Sequence, residues 1–203
     1  MPAALTFSER KLVRNNRSGP LDVALATCKA GAVTSPPKLN IVLHQPEIPQ
    51  NTGNVGRSCL AVGAKLWLVR PLGFQLDEKQ LRRAGLDYWQ HLDVEVVDHW
   101  ESLATLLPAA NHWYFSKTAE QIYTDVEFSP GDSLVFGSET RGLPGKLLAN
   151  NPQRALRIPI YNPVRSLNLA SAVAVAALEA QRQWRARGLI GDTLPSAAES
   201  ANT

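Results

Sequence analysis

From Lys38 onward, short apolar runs of strand length alternate with segments of helical period, and this alternation constrains the fold more than any other feature of the chain. A strand whose chain enters a helix before the next strand begins returns by a crossover rather than a hairpin. The pattern therefore predicts an α/β domain with a mostly parallel sheet. Six strands are expected, at Asn40 to His44, Lys65 to Arg70, Val94 to Val97, Trp113 to Ser116, Ser133 to Phe136 and Ala155 to Pro159. Helical patterns fill the gaps at Asn54 to Val62, Asp77 to Ala84, His99 to Leu106 and Leu167 to about Arg187. The last helix opens as LNLASAVAVAALEA, small and apolar almost all round, and turns polar at QRQWRAR. Such a helix is expected to be buried on more than one side, with the domain core on one face and a subunit interface on another.

A chain of 203 residues that is 44% hydrophobic and 19% charged supports one domain with a sizeable core. Residues 1–37 show no sustained period and contain Asn15-Asn16, Ser18-Gly19-Pro20 and Ser35-Pro36-Pro37, so they are read as a flexible basic extension. That extension has the character of an organellar transit peptide, a basic arm for RNA, or an over-extended gene start. The domain is expected over residues 38–187, with a disordered tail over 188–203.

The longest wholly apolar stretch, Ala172 to Leu178, is far short of the roughly 20 residues that span a bilayer, so no membrane association is expected. Cys28 and Cys59 form no CxxC, and His44, His91, His99 and His112 have no metal-ligand spacing, which argues against zinc and for a reducing compartment. The net charge of +3 suggests nucleic acid, but residues 1–37 hold five basic and two acidic side chains. The rest of the chain thus balances 16 against 16. A basic face on the domain has to come from clustering, with Arg82, Arg83, Arg141, Arg154, Arg157 and Arg165 as candidates against a reading as solvated surface arginines.

Three motifs carry the functional signal. PEIPQNTGNVGRSC (Pro46 to Cys59) follows the first strand and opens a helix. It reads either as punctuation, with Asn51 or Asn54 capping the helix and Gly53 and Gly56 in turns, or as an anion site at a helix N-terminus with Arg57 one turn in. It matches neither G-x-G-x-x-G nor a Walker motif. LVFGSETRGLP (Leu134 to Pro144), together with the Gly145 that follows it, places three glycines, Gly137, Gly142 and Gly145, in nine residues around Glu139 and Arg141, which suits a backbone that approaches something closely as well as a surface loop with an internal Glu139 to Arg141 contact. IPIYNPVRSLNLASA (Ile158 to Ala172) ends in Ser166-Leu167-Asn168, where Ser166 is a candidate cap for the last helix. The second and third motifs both begin as a strand and break into Gly, Pro, Ser and Asn before a helix. That arrangement outlines a crevice for a small polar molecule at strand ends.

In this order and flanked by these strands, the three motifs resemble the SpoU branch (TrmH type) of the SPOUT methyltransferases, over about residues 38–187. The NTGNVGR and FGSETRGLP strings, RRAGLDYW (Arg82 to Trp89) and SLNLASAVAVAALEA look most like the compact members of that branch that act on tRNA. The resemblance implies an α/β SPOUT fold with a C-terminal trefoil knot, an exception to the rule against threaded chains. It implies S-adenosyl-L-methionine as methyl donor, held largely by backbone groups of Phe115, Gly137, Ile158 and Leu167 with Ser166 nearby, and no metal. It implies catalytic positions at Asn51, Arg57, Glu139, Ser166 and Asn168, with Glu139 orienting Arg57 and Asn51. A guanidinium offers only donors, so Arg57 fits a role in binding a phosphate and stabilising an emerging alkoxide better than that of a simple base. The implied activity is 2'-O-methylation of the wobble nucleotide of tRNA, cytidine or a modified uridine, by a cytoplasmic homodimer. The alternatives are another tRNA or rRNA position, a non-catalytic RNA-binding SPOUT protein, and an organellar location if the extension is a transit peptide.

Overall fold

The computed structural model of the protein describes residues 39–75, 87–107 and 112–190. The extension at 1–37, the helix expected over Asp77 to Ala84 with Arg82 and Arg83, and the tail from residue 191 lie outside the described residues.

The described chain forms one parallel sheet of seven strands. These are β1 (Leu39–His44), β2 (Ala64–Val69), β3 (Val94–Val97), β4 (His112–Phe115), β5 (Gln121–Ile122), β6 (Ser133–Phe136) and β7 (Ala155–Arg157). Their spatial order is β3-β2-β1-β6-β4-β7-β5, with every pairing parallel. The six expected strands are all present, and the seventh, β5, is a correction to the expected count. At two residues on a sheet edge it is too short to leave a period in the sequence.

Four helices are described: α1 (Pro49–Val62), α2 (Trp100–Leu106), α3 (Gly145–Ala149) and α4 (Leu169–Ala186). Alternation along each strand sends residues to opposite layers. Leu39, Ile41 and Leu43 of β1, Leu66 and Leu68 of β2 and Leu134 and Phe136 of β6 join Val55 and Cys59 of α1 and Ala176, Ala177, Ala180 and Trp184 of α4 in one core. Val42, Trp67, Val69, Tyr114 and Val135 point the other way, against Leu103 of α2, with Leu147 and Leu148 of α3 packed around them. The result is a three-layer sandwich whose sheet is buried on both faces, as an all-parallel sheet requires.

Helix α1 begins at Pro49, five residues before the expected Asn54. Proline suits the first helical position because its ring presets φ and its missing N–H would have no intrahelical acceptor. Neither Asn51 nor Asn54 caps this helix: its cap is Ile48, without a side-chain bond. Gly56 sits inside the helix rather than in a turn. A Cβ there would come within 2.9 Å of both Trp89 Cζ3 and Leu92 Cδ2, so glycine admits close packing of the segment around the 3-10 turn Asp87–His91.

On α4 the buried positions Leu169, Val173, Ala176, Ala177, Ala180, Gln183 and Trp184 recur at helical spacing and form a single face. Burial on more than one side is therefore not met within one chain, because Val175 and Leu178 remain exposed. The helix closes with Gly188 at φ 68° and Leu189 N–H donating to Trp184 O at 2.9 Å, the 6→1 bond of a left-handed glycine terminus. No described helix is long and apolar enough to cross a membrane.

Candidate active site

The strand order fixes where a site can form. From β1 the chain builds outward through β2 and β3, then returns to the other side, where β6 lies between β1 and β4. In such sheets the crevice lies beyond the carboxyl ends of the strands where the direction of winding reverses. Phe115 closes β4, Gly137 follows β6, and Ile158 follows β7; Phe115 is paired in register with both Phe136 and Leu156. Three of the four expected cofactor-binding backbone positions therefore stand side by side at the ends of neighbouring strands. Phe115 is buried and stacked on Phe136, ring centroids 4.6 Å apart. The fourth, Leu167, is exposed beside Ser166 in the segment that enters α4.

Gly137 has a steric reason to be glycine. A Cβ on it would lie 1.9 Å from Gly142 C and 2.1 Å from Leu143 N, because the chain folds back immediately after β6. Ser138 and Gly142 form an antiparallel bridge, Gly142 N–H donates to Ser138 O at 2.9 Å, and Gly142 takes the left-handed φ of 69° that closes the turn.

This turn carries Glu139 to the start of α1. The Glu139 carboxylate accepts from Glu47 N–H (2.8 Å), Ile48 N–H (3.3 Å) and Asn51 Nδ2 (2.9 Å). A carboxylate only accepts, so Asn51 must present its amide nitrogen to Glu139 and its oxygen to the opposite side. There Asn51 Oδ1 accepts from Asn168 Nδ2 at 2.9 Å, which in turn leaves Asn168 Oδ1 to accept from Ala170 N–H at 2.9 Å. One acceptor-only group thus sets the orientation of two amides and the cap of α4. The cap is Asn168, not Ser166, which is exposed two positions earlier.

Arg57 stands apart from this chain of bonds. It is exposed on α1, with its guanidinium carbon 4.8 Å from the centroid of the Tyr88 ring, and it does not bond Glu139. The expectation that Glu139 orients both Arg57 and Asn51 is met for Asn51 alone. Because α1 starts at Pro49, Arg57 lies more than two turns in, beyond reach of the helix N-terminus, so the reading of the two as one anion site is corrected. Tyr88 is fixed by its hydroxyl, which donates to Gly53 O at 2.8 Å. Arg141 does not pair with Glu139 either; its Nε is 3.9 Å from Glu47 Oε1.

Two residues of the site were not singled out from the sequence. Tyr88 lies in the RRAGLDYW string and supports Arg57. Glu47 lies in PEIPQ and accepts from Thr140 Oγ1 (2.7 Å) and Thr140 N–H (3.1 Å). The Thr140 hydroxyl bond holds the Glu47 carboxyl below the usual carboxylate range. Neither residue has a local pattern that gives it away, since both act on partners far along the chain. Among the described residues no group of three or more His, Cys, Asp or Glu is placed to hold a metal ion.

The strand ends thus gather at a reversal point beside a Gly-closed turn after β6, and a Glu139–Asn51–Asn168 relay joins that turn to α1 and to the cap of α4. The sequence model of the SpoU rRNA Methylase family matches residues 38–178, and the chain belongs to that family. The tRNA (cytidine(34)-2'-O)-methyltransferase of Polaromonas sp. (strain JS666) is 45% identical over 164 residues, covering 79% of this chain and 98% of that one. Its counterpart in Burkholderia ambifaria is 44% identical over 155 residues, covering 75% of this chain and 97% of that one. Among solved structures, one described as giving structural insights into the 2-OH methylation of C/U34 on tRNA is 51% identical, with a TM-score of 0.69 over 73% of this chain and 97% of that chain.

Proposed function

We propose that the protein transfers a methyl group from S-adenosyl-L-methionine to the ribose 2'-OH of the wobble nucleotide, cytidine or a modified uridine, in the anticodon loop of tRNA. The observation that carries this reading is the convergence of Asn51, Glu139 and Asn168 in one relay beside the strand ends at Phe115, Gly137 and Ile158. Relatives that act on cytidine 34 of tRNA match essentially over their whole length, which supports the same substrate here. An anticodon loop offers unpaired, accessible nucleotides to a compact enzyme, and a tRNA substrate suits a cytoplasmic setting.

The donor contributes an electrophilic methyl on a sulfonium, a leaving group that needs no metal. The backbone of Phe115, Gly137, Ile158 and Leu167 suits an adenosine-type ligand, because adjacent strand ends and a glycine turn give main-chain donors and acceptors without side chains in the way. The task left to the protein is to position a weakly nucleophilic hydroxyl and manage its charge. Arg57, exposed and backed by the Tyr88 ring, would present donors to the phosphate beside the target ribose and to the oxygen as its proton passes to water at this open surface. Asn51 and Asn168 hold the turn that carries Glu139 and the segment that carries Ser166 in fixed relation to that arginine.

The family's trefoil knot is part of the same proposal. The return of β6 between β1 and β4, with β7 then placed between β4 and β5, is the strand order such threading would use. So is the homodimer. Tyr161, Val164 and Leu167 before α4, and Val175 and Leu178 on it, leave apolar surface exposed that a second subunit would cover.

The test is incubation of the protein with S-adenosyl-L-methionine and unmodified tRNA, followed by mapping of nucleotides newly resistant to alkaline cleavage. A single new 2'-O-methyl group at position 34 is expected. Methylation elsewhere would replace the substrate assignment, and no product with any RNA would reduce the protein to a binding role.

A further inference from the structure

Two carboxylates meet between the loop after β1 and the turn after β6, and they are connected reciprocally. Glu139 accepts the main-chain N–H groups of Glu47 and Ile48, while Glu47 accepts the main-chain N–H and the hydroxyl of Thr140. Each loop thus reads the other's backbone with an acidic side chain. Two like charges side by side repel, and the nearest cation, Arg141 Nε at 3.9 Å from Glu47, is itself largely exposed. Main-chain and hydroxyl donors therefore hold the pair, and these contacts fix the shape of the turn as strongly as its position.

The backbone of Glu47 is in turn held from behind. Gly73 N–H donates to Pro46 O at 2.9 Å, and a Cβ on Gly73 would lie 2.6 Å from Glu47 O, so the segment after β2 leaves this loop no room to withdraw. Just before it, Gln45 takes a left-handed φ of 55°, rare for a residue with a side chain, with its N–H bonded to Val69 O at 2.9 Å. Glu47 therefore projects from a braced loop onto a turn whose other end, Gly137, borders the strand-end crevice.

We propose that Glu47 is a positioning residue for methyl-donor binding: through Thr140 it holds the Ser138–Gly142 turn in its binding shape. The inference rests on the methyltransferase reading given above. Without Glu47, the Thr140 N–H and hydroxyl are free to bond water at this exposed position, so the fold survives while the turn samples other shapes. Affinity then falls by the fraction of time the turn is competent.

The experiment is calorimetric titration of S-adenosyl-L-methionine into the full-length protein and its Glu47→Ala, Glu47→Gln and Thr140→Val variants, with thermal melting of each. For Glu47→Ala, donor affinity is expected to fall about tenfold or more, the scale of losing bonds to a charged group. Its melting temperature should stay within a few degrees, and turnover at saturating donor should recover. Glu47→Gln should retain most of the affinity, because its amide can accept from Thr140 N–H and donate to the hydroxyl. Thr140→Val should weaken binding, and the Glu47→Ala/Thr140→Val double variant should bind no more weakly than Glu47→Ala alone. If the wild type binds and Glu47→Ala or Thr140→Val matches it, the role of Glu47 is overturned and the methyltransferase reading stands. If Glu47→Ala does not fold, undiminished binding by Thr140→Val overturns the role equally. If the wild-type protein itself fails to bind, the methyltransferase reading falls and the proposal with it.

Discussion

Asn168 Nδ2 donates to Asn51 Oδ1 at 2.9 Å across 117 positions of sequence, and this one bond ties the start of the last helix to the start of the first. It places the third motif against the first and, through Glu139, against the second. A relay of this kind is directional, and its direction can be tested.

Replacement of Asn168 separates its two bonds. Asn168→Ala removes the cap of Ala170 N–H and the donor to Asn51, and should cost about 1 kcal/mol, seen as a fall of roughly 2–4 °C in melting temperature. Asn168→Asp keeps an acceptor for the cap but turns a second acceptor toward Asn51 Oδ1. Its melting temperature should also fall by a few degrees, from the repulsion at buried Asn51 rather than from a lost cap, while methyl transfer falls about a hundredfold or more. Equal activity in Asn168→Asp and wild type would show that the relay does not serve catalysis.

Arg57→Ala should abolish methyl transfer and leave donor affinity unchanged, since the guanidinium lies against the Tyr88 ring and makes no bond to the Glu139 relay. Tyr88→Leu, which removes the ring beneath Arg57, should reduce turnover about two- to fivefold, in line with roughly 0.5–1 kcal/mol for an exposed cation–π contact. Tyr88→Phe keeps the ring and should retain more activity than Tyr88→Leu. Steady-state rates with saturating donor distinguish the three.

Sedimentation should give a mass of twice 22.2 kDa. Leu178→Glu places a charge on the exposed face of α4 and should shift the protein toward monomer with unchanged helical content, because Leu178 is 56% exposed within its own chain. Activity should fall with the dimer. A fully active monomer would remove the second subunit from the proposed site.

Burial pushes the Cys59 thiol up from 9.0 to about 12, so the folded protein keeps a proton that the unfolded chain releases. Stability from this group is therefore complete below about pH 9 and is lost as pH rises toward 12. In a Cys28→Ser background, Cys59 should resist alkylation at pH 8 until the protein is denatured. The decline of unfolding free energy between pH 9 and 11 should be shallower in Cys59→Ala than in wild type, as read from urea titrations.

Much of the sheet is legible in the sequence because a buried parallel strand is a local object. LNIVLH, AKLWLV and SLVF are apolar runs of strand length, and their identity does not depend on what they pair with. The start of α1 is not legible locally, because Asn51 and Asn54 are good caps by type, whereas Pro49 opens the helix and Glu139 takes the Asn51 amide. β5 leaves no signal because two residues have no period.

The chain by itself determined the class of fold and the three motifs, since turn glycines, apolar runs and the order of Asn, Arg, Glu and Asn are written along one dimension. Only the tertiary structure decided which of those residues touch. Hydrogen bonds act over about 3 Å, so the partners of Glu139, 88 positions from Asn51, follow from the insertion of β6 beside β1 and from nothing in their own neighbourhoods. The same insertion brings Thr140 to Glu47, and the packing of residues 87–91 on α1 brings Tyr88 beneath Arg57. In sequence, Glu47 and Tyr88 are an acid in a loop and an aromatic after a helix; packing gives each its specific work.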